Sequence, residues 1–227
     1  LILISNFHNF RSSSLLVDIS LHFGSLIAIV CYFRKELFNL RNNIKLLKLM
    51  IIGSIPLIII GYLLHTSELI YLLRNIKVIA FTTLFFGVVL YFADQRKIEK
   101  SISTNLNIKS ILFIGLFQIL AIVPGVSRAG ITITAARFLK FNRVDAGKIS
   151  FILSIPALSG ASFLGFKEAI KQSMEINYTL GIATVFAFIF SYITIKFFLN
   201  YINKFSLNIF VVYRIIIGLF LLIIINY

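Results

Sequence analysis

The sequence has no tryptophan, one cysteine, three histidines and only eight acidic residues among its 227. Each scarcity excludes something. With Cys31 alone, neither a disulfide nor a cysteine metal cluster forms within the chain. His8, His22 and His65 are too scattered for a zinc site. Eight acidic residues face 22 lysines and arginines, a net charge of +14. In a chain that is 59% hydrophobic, that excess reads as loop charge on the cytoplasmic side of a membrane protein, and nucleic acid is not an expected partner. Leu1–Phe10 has no basic region and no small-residue cleavage site, so it does not read as a signal peptide.

What is present is long apolar sequence. Mean hydropathy is +0.98, in the range of an all-α, polytopic membrane protein. Six stretches are long and apolar enough to span a bilayer: Leu15–Phe33, Leu46–Leu64, Ile76–Ala93, Ile149–Phe166, Tyr178–Phe197 and Leu207–Ile225. Charged loops separate them, the longest at Arg34–Lys45 and Asp94–Lys109.

Ser110–Lys140 breaks this pattern. Ser110–Val123 is apolar, but its 14 residues make only about 21 Å of helix, against a hydrocarbon core of roughly 30 Å. Pro124-Gly125 then interrupts it, and the apolar Ile131–Phe141 is shorter still. Two half-length helices joined by a glycine turn predict a re-entrant hairpin, a shape tolerated where it is buried in protein or lines a cavity. Loop charge supports this. With a re-entrant hairpin, the loops at 34–48, 94–109, 137–148 and 196–204 share one side and hold 15 lysines and arginines, against 4 in the loops at 66–77 and 167–177. A hairpin that crossed fully would give 11 against 8. The re-entrant arrangement also makes two triplets of spans with opposite starting sides, an inverted-repeat architecture with halves at about 1–107 and 108–227 in a single membrane domain. The second triplet is preceded by the hairpin. By symmetry, a matching N-terminal re-entrant element is expected upstream of Leu1, and residues 1–227 alone are expected to have little activity.

The candidate chemistry lies at the hairpin tip, Pro124-Gly125-Val126-Ser127-Arg128-Ala129-Gly130. An arginine at mid-membrane depth costs about 2.5–3.5 kcal/mol on insertion scales, so it needs a reason. Gly125 and Gly130 permit a backbone that aims successive N–H groups at one point. Ser127 supplies a hydroxyl, and Arg128 grips two phosphate oxygens at once. Thr132 and Thr134 begin the next half-helix, whose N-terminus favours an anion. The bland alternative is a Pro-Gly helix break beside a snorkelling arginine. The motif is neither a nucleophile elbow nor a P-loop. Asp18, His22 and Ser25 share one face of the first span, where they either meet a cation, relay protons or pair with one another. Gln118 is a candidate substrate contact or interhelical hydrogen bond. Arg214, near the start of the last span, either lines the same cavity or snorkels to the membrane edge. Ser12, Ser13 and Ser14 read as a turn and helix cap. His8 and His65 carry no assigned role.

The stretch from Gln118 through Ala-Ile-Val-Pro-Gly-Val-Ser-Arg-Ala-Gly-Ile-Thr resembles the second signature of the bacterial undecaprenyl-diphosphate phosphatase family, Gln-x-x-Ala-x-x-Pro-Gly-x-Ser-Arg-Ser-Gly-x-Thr. Ala129 stands where serine is usual. Asp18-Ile-Ser-Leu-His-Phe-Gly resembles the family's Glu-x-x-x-Gln-x-Gly segment, and Ser150–Pro156 and Tyr213-Arg214 also fit. The family's first signature, an acidic pair followed by Ser-Ser-x-Gly-His, has no counterpart here.

The resemblance implies hydrolysis of a C55 polyprenyl diphosphate in the bacterial cytoplasmic membrane. This recycles the lipid carrier of peptidoglycan synthesis and confers resistance to bacitracin. It implies catalytic roles for Arg128 and Ser127, and substrate contacts from Gly125, Gly130, Thr132, Gln118 and Arg214. It also implies a divalent cation, Mg2+ or Ca2+, for which Asp18 is the one candidate ligand in this chain. Expected partners are the diphosphate lipid and the bilayer, and a homodimer is compatible with the sequence. A lipid flippase is the main competing reading, because broken helices in inverted repeats also build transporters. A non-catalytic scaffold leaves Arg128 unexplained.

Overall fold

The computed structural model describes residues 13–65, 75–98, 100–171 and 178–226. These residues form helices and no strand; the one β-type pairing is an isolated bridge between Lys100 and Phe141. In chain order the helices are α1 (Ser13–Tyr32), α2 (Arg34–Phe38), α3 (Leu40–His65), α4 (Ile76–Asp94), α5 (Ile102–Asn105), α6 (Ile108–Ile119), α7 (Arg128–Phe138), α8 (Arg143–Lys171), α9 (Tyr178–Lys204) and α10 (Asn208–Asn226). A 3-10 turn, Leu120–Ile122, prolongs α6. The chain is an all-α, polytopic membrane protein.

Five helical stretches are long and apolar enough to cross a membrane: Asn43–Leu64, Ile76–Asp94, Arg143–Lys171, Leu180–Lys204 and Asn208–Ile225. The first expected span is present as α1, whose apolar part, Leu16–Tyr32, is shorter than those five. His8 and Ser12 lie outside the described residues.

Several helices run past the bounds that hydropathy suggested. The second span starts at Leu40 rather than Leu46, the fourth at Arg143 rather than Ile149, and the fifth ends at Lys204 rather than Phe197. Hydropathy marks the part of a helix inside hydrocarbon, whereas backbone hydrogen bonding continues until a cap stops it. Asn142 is such a cap. Its Oδ1 accepts from the Asp145 N–H at 2.8 Å, and its Nδ2 donates to Asp145 Oδ2 at 2.9 Å. Likewise, α6 begins at Ile108 rather than Ser110 because Asn107 and Ser110 form a reciprocal capping box.

The chain divides into two compact units. One comprises Leu1–Ile44 and Ser154–Phe198, the other Lys45–Leu153 and Leu199–Tyr227. Each unit draws on both sequence halves. In the first, Ser25 Oγ lies 2.9 Å from Ser191 Oγ, a hydrogen bond from α1 to α9. Asp18, His22 and Ser25 all belong to this unit.

The second unit holds the hairpin. Its interior is lined by small residues, with Ala80, Ala93, Ala135, Ala136 and Ala146 fully buried. Small side chains let helices approach closely where lipid supplies no hydrophobic drive. The outer faces are large and apolar: Phe81, Phe85 and Phe92 on α4, and Ile216, Phe220 and Ile223 on α10, are exposed. In a membrane that surface meets lipid chains.

The two feet of the hairpin lie side by side. The Lys100 N–H donates to the Lys140 carbonyl at 3.2 Å, and the Asn142 N–H donates to the Lys100 carbonyl at 3.1 Å. The segment therefore enters and leaves at one end of its unit, as the re-entrant reading requires. An ion cluster locks that end. Asp94, 3% exposed, accepts on Oδ1 from Arg137 Nε (3.2 Å) and Arg143 Nε (2.8 Å), and on Oδ2 from Arg143 Nη2 (3.0 Å) and the Leu207 N–H (3.0 Å). One carboxylate thus ties together the end of α4, the end of α7, the start of α8 and the approach to α10. Arg137 counts as a loop charge by sequence, yet it is 1% exposed. Its remaining donors reach the carbonyls of Phe141 (2.6 Å), Asp94 (2.9 Å) and Arg96 (2.9 Å).

Candidate active site

The hairpin tip is built from a tight turn followed by a helix start. The Val126 N–H donates to the Val123 carbonyl at 3.3 Å, closing a turn with Pro124 and Gly125 at its corners. Gly125 has φ of +88°, as the third position of a type II turn demands. A side chain there would also collide with the backbone of α4, since its Cβ would come within 2.6 Å of the Ile79 carbonyl.

Ser127 follows with φ of +67°, an uncommon conformation for a residue with a side chain. Such strain costs on the order of 1–3 kcal/mol and persists only when its surroundings hold it. Ser127 is the N-cap of α7: its Oγ accepts from the Gly130 N–H at 3.3 Å, and its carbonyl accepts from the Ile131 N–H at 2.9 Å. The second half-helix therefore starts at Arg128, three residues earlier than the apolar run suggested. The shift changes the site. Arg128 now stands in the first turn, where backbone N–H groups lack helical partners and the dipole is positive.

The candidate residues divide by what they touch. Ser127 is exposed, and since its oxygen accepts from Gly130, its hydroxyl hydrogen remains to donate outward. Arg128 has a buried Nη1 with no hydrogen-bond partner. Gln118 is fully buried, and neither its Oε1 nor its Nε2 has a partner. No interhelical hydrogen bond from Gln118 is made, and its burial leaves it no open approach to a ligand here.

Thr132 is also fully buried. Its Oγ1 lies 2.7 Å from Ser150 Oγ and 2.9 Å from the Arg128 carbonyl, so it fastens α7 to α8. Thr134 donates to the Gly130 carbonyl at 2.7 Å. Arg214, 7% exposed, does not snorkel: it turns towards the turn carrying Gly125 and Val126. The tip is deep. Thr82, which donates to the Pro124 carbonyl at 2.6 Å, precedes Asp94 by 12 residues, about 18 Å along α4.

Among the described residues, no group of three or more His, Cys, Asp or Glu could hold a metal ion. Asp18 has no such company.

Sequence reasoning missed Asp94. It closes an apolar span in a chain with only eight acidic residues. That scarcity was the available signal, since an acid at a span end among so few needs partners.

Comparison with known proteins finds relatives along nearly the whole chain. Residues 1–220 match the family described as Bacitracin resistance protein BacA. An undecaprenyl-diphosphatase from Pelagibacter ubique is 63% identical over 217 residues, covering 95% of this chain and 85% of that protein. One from Elusimicrobium minutum is 42% identical over 216 residues, 91% of this chain and 81% of that protein. One from Alcanivorax borkumensis is 34% identical over 236 residues, 98% and 89% respectively. With its Pro-Gly-x-Ser-Arg turn at the tip of a helical hairpin, the chain belongs to the Bacitracin resistance protein BacA family.

Proposed function

We propose that this protein is an undecaprenyl-diphosphate phosphatase of the bacterial cytoplasmic membrane. It releases phosphate from the C55 polyprenyl diphosphate and leaves the monophosphate, which returns to peptidoglycan synthesis. Removing the diphosphate form also removes the species that bacitracin sequesters. The observation that carries the proposal is the partnerless, buried Nη1 of Arg128 in the first turn of α7, beside the outward Ser127 hydroxyl. An unpaired buried cation invites an anion, and arginine matches phosphate geometry.

In this reading Arg128 binds non-bridging oxygens of the diphosphate and stabilises charge as the P–O bond breaks. The Ser127 hydroxyl and the opening N–H groups of α7 add donors. Water is the attacking group, and the described residues include no assigned base for it. The prenyl chain stays in lipid against the exposed aromatic faces. A divalent cation, Mg2+ or Ca2+, accompanies the diphosphate in this reading and would neutralise part of its charge.

The test is phosphate release from farnesyl or undecaprenyl diphosphate by the full-length protein in detergent. The proposal expects metal-dependent release that Arg128→Ala abolishes while the variant still inserts. Labelled lipid crossing liposomes without phosphate release would instead establish a flippase.

A further inference from the structure

By sequence Arg214 is a candidate substrate contact, yet its hydrogen bonds run to backbone. Nη1 donates to the Val126 carbonyl at 2.8 Å, Nη2 to the Gly125 carbonyl at 2.9 Å, and Nε to the Thr83 carbonyl at 3.3 Å. Two threonines of α4 complete the set. Thr83 Oγ1 lies 3.3 Å from the Gly125 carbonyl, and Thr82 Oγ1, also within reach of its own helix's carbonyls, lies 2.6 Å from that of Pro124. Three successive carbonyls of the turn therefore point at donors on α4 and α10.

We infer that Arg214 is a positioning residue rather than a phosphate ligand: with Thr82 and Thr83 it clamps the carbonyl edge of the turn and so presents the Ser127 N–H to the anion. This rests on the phosphatase reading above. In a trans peptide the C=O and N–H point in opposite directions. Holding the Val126 carbonyl on Arg214 sends the Ser127 N–H the other way. Among the described residues that N–H has no acceptor, and it leads directly into the opening N–H groups of α7. A flipped 126–127 peptide would place a carbonyl oxygen where phosphate oxygens must sit, and two acceptors repel. The clamp also accounts for the strained φ of Ser127, which the neighbouring helices hold in place.

Two glycines make room for the clamp. A Cβ at Gly130 would come within 2.8 Å of Arg214 Nη1, and one at Gly87 within 3.2 Å of Arg214 Cβ. Gly130 thus belongs to the site by leaving space for a guanidinium. Lysine would keep the charge at position 214 but not the planar fork that spans two carbonyls.

The dipeptide Val-Ser occurs once in the sequence, at 126–127. Labelling valine with carbonyl 13C and serine with 15N reports the Ser127 amide in an NMR spectrum of the full-length protein in detergent, and the signal lost in Val126→Ala identifies it. Inorganic diphosphate is the probe, and turnover of farnesyl diphosphate is followed in parallel. In the wild type, diphosphate shifts the Ser127 amide. In Arg214→Lys the resonance is displaced before any ligand is added, its response falls at least fivefold, and turnover falls about a hundredfold. Thr82→Val gives a smaller displacement in the same sense and carries the test if Arg214→Lys does not fold. A resting resonance unmoved in either folded variant overturns the clamp, and a weaker diphosphate response alone would make Arg214 a direct ligand. A wild-type amide that ignores diphosphate also overturns it. A wild-type amide that responds, in a protein that releases no phosphate, sinks the phosphatase reading and leaves the clamp standing.

Discussion

Two arginines of one hairpin, nine positions apart, sit in opposite electrostatic states. At the foot, Arg137 bonds Asp94 and three carbonyls, and Arg143 completes the carboxylate's shell. At the tip, Arg128 keeps a buried nitrogen with no partner. Arg137 is buried whole and Arg128 is part-buried with its Nη1 sealed, and the cost of desolvating a charge must be offset by partners. The foot supplies its own partners, so its charges hold helices together. The tip does not, so its charge is available to a ligand. That difference in pairing is why the proposed ligand contact falls on Arg128 and not on Arg137.

The largest expected effect breaks the tip. Arg128→Ala should lower phosphate release by about a thousandfold, the scale seen when a donor to developing charge is removed. Detergent-solubilised protein should keep its elution profile and melting temperature. Unchanged turnover would refute the site.

Breaking the foot should read out in the other channel. Asp94→Ala leaves Arg137 buried without its carboxylate, a change that costs about 3–5 kcal/mol. Its melting temperature should drop sharply, with activity lost in proportion to unfolding. A stable but inactive Asp94→Ala protein would mean that the foot takes part in chemistry.

Gln118 tests whether any orphaned polar group marks a ligand site. Its two unpartnered atoms carry no charge and are sealed from solvent. Gln118→Leu should leave turnover within about threefold and raise stability by up to about 1–3 kcal/mol, the desolvation penalty of an unmade hydrogen bond. A large loss of turnover would return Gln118 to the site.

The smallest effect is expected at Thr132, whose hydroxyl bonds Ser150. Thr132→Val should cost about 1 kcal/mol of stability and change turnover less than threefold. Thermal shift and phosphate release measured on the same preparation check both parts.

The broken hairpin was legible because its evidence is local: two apolar runs too short to span, with Pro124-Gly125 between them. Loop charge then placed both feet on one side, and the Lys100 pairing with Lys140 and Asn142 agrees. The Ser-Arg turn was legible for the same reason, since an arginine amid apolar sequence is conspicuous wherever the chain folds. Helix starts were less so. Asn107, Ser127 and Asn142 are caps of ordinary composition, and hydropathy is blind to them.

The sequence by itself determined the class of protein, the re-entrant segment and the residues at its tip, because hydrophobic length, proline, glycine and charge act within a few residues of where they stand. Only the tertiary structure decided what each buried charge is for. Asp94 meets Arg137, Arg143 and Leu207 across 43, 49 and 113 positions, and Arg214 meets the turn across 88 and 89. A buried charge takes its role from its partners, and partners that distant are chosen by packing rather than by any pattern along the chain.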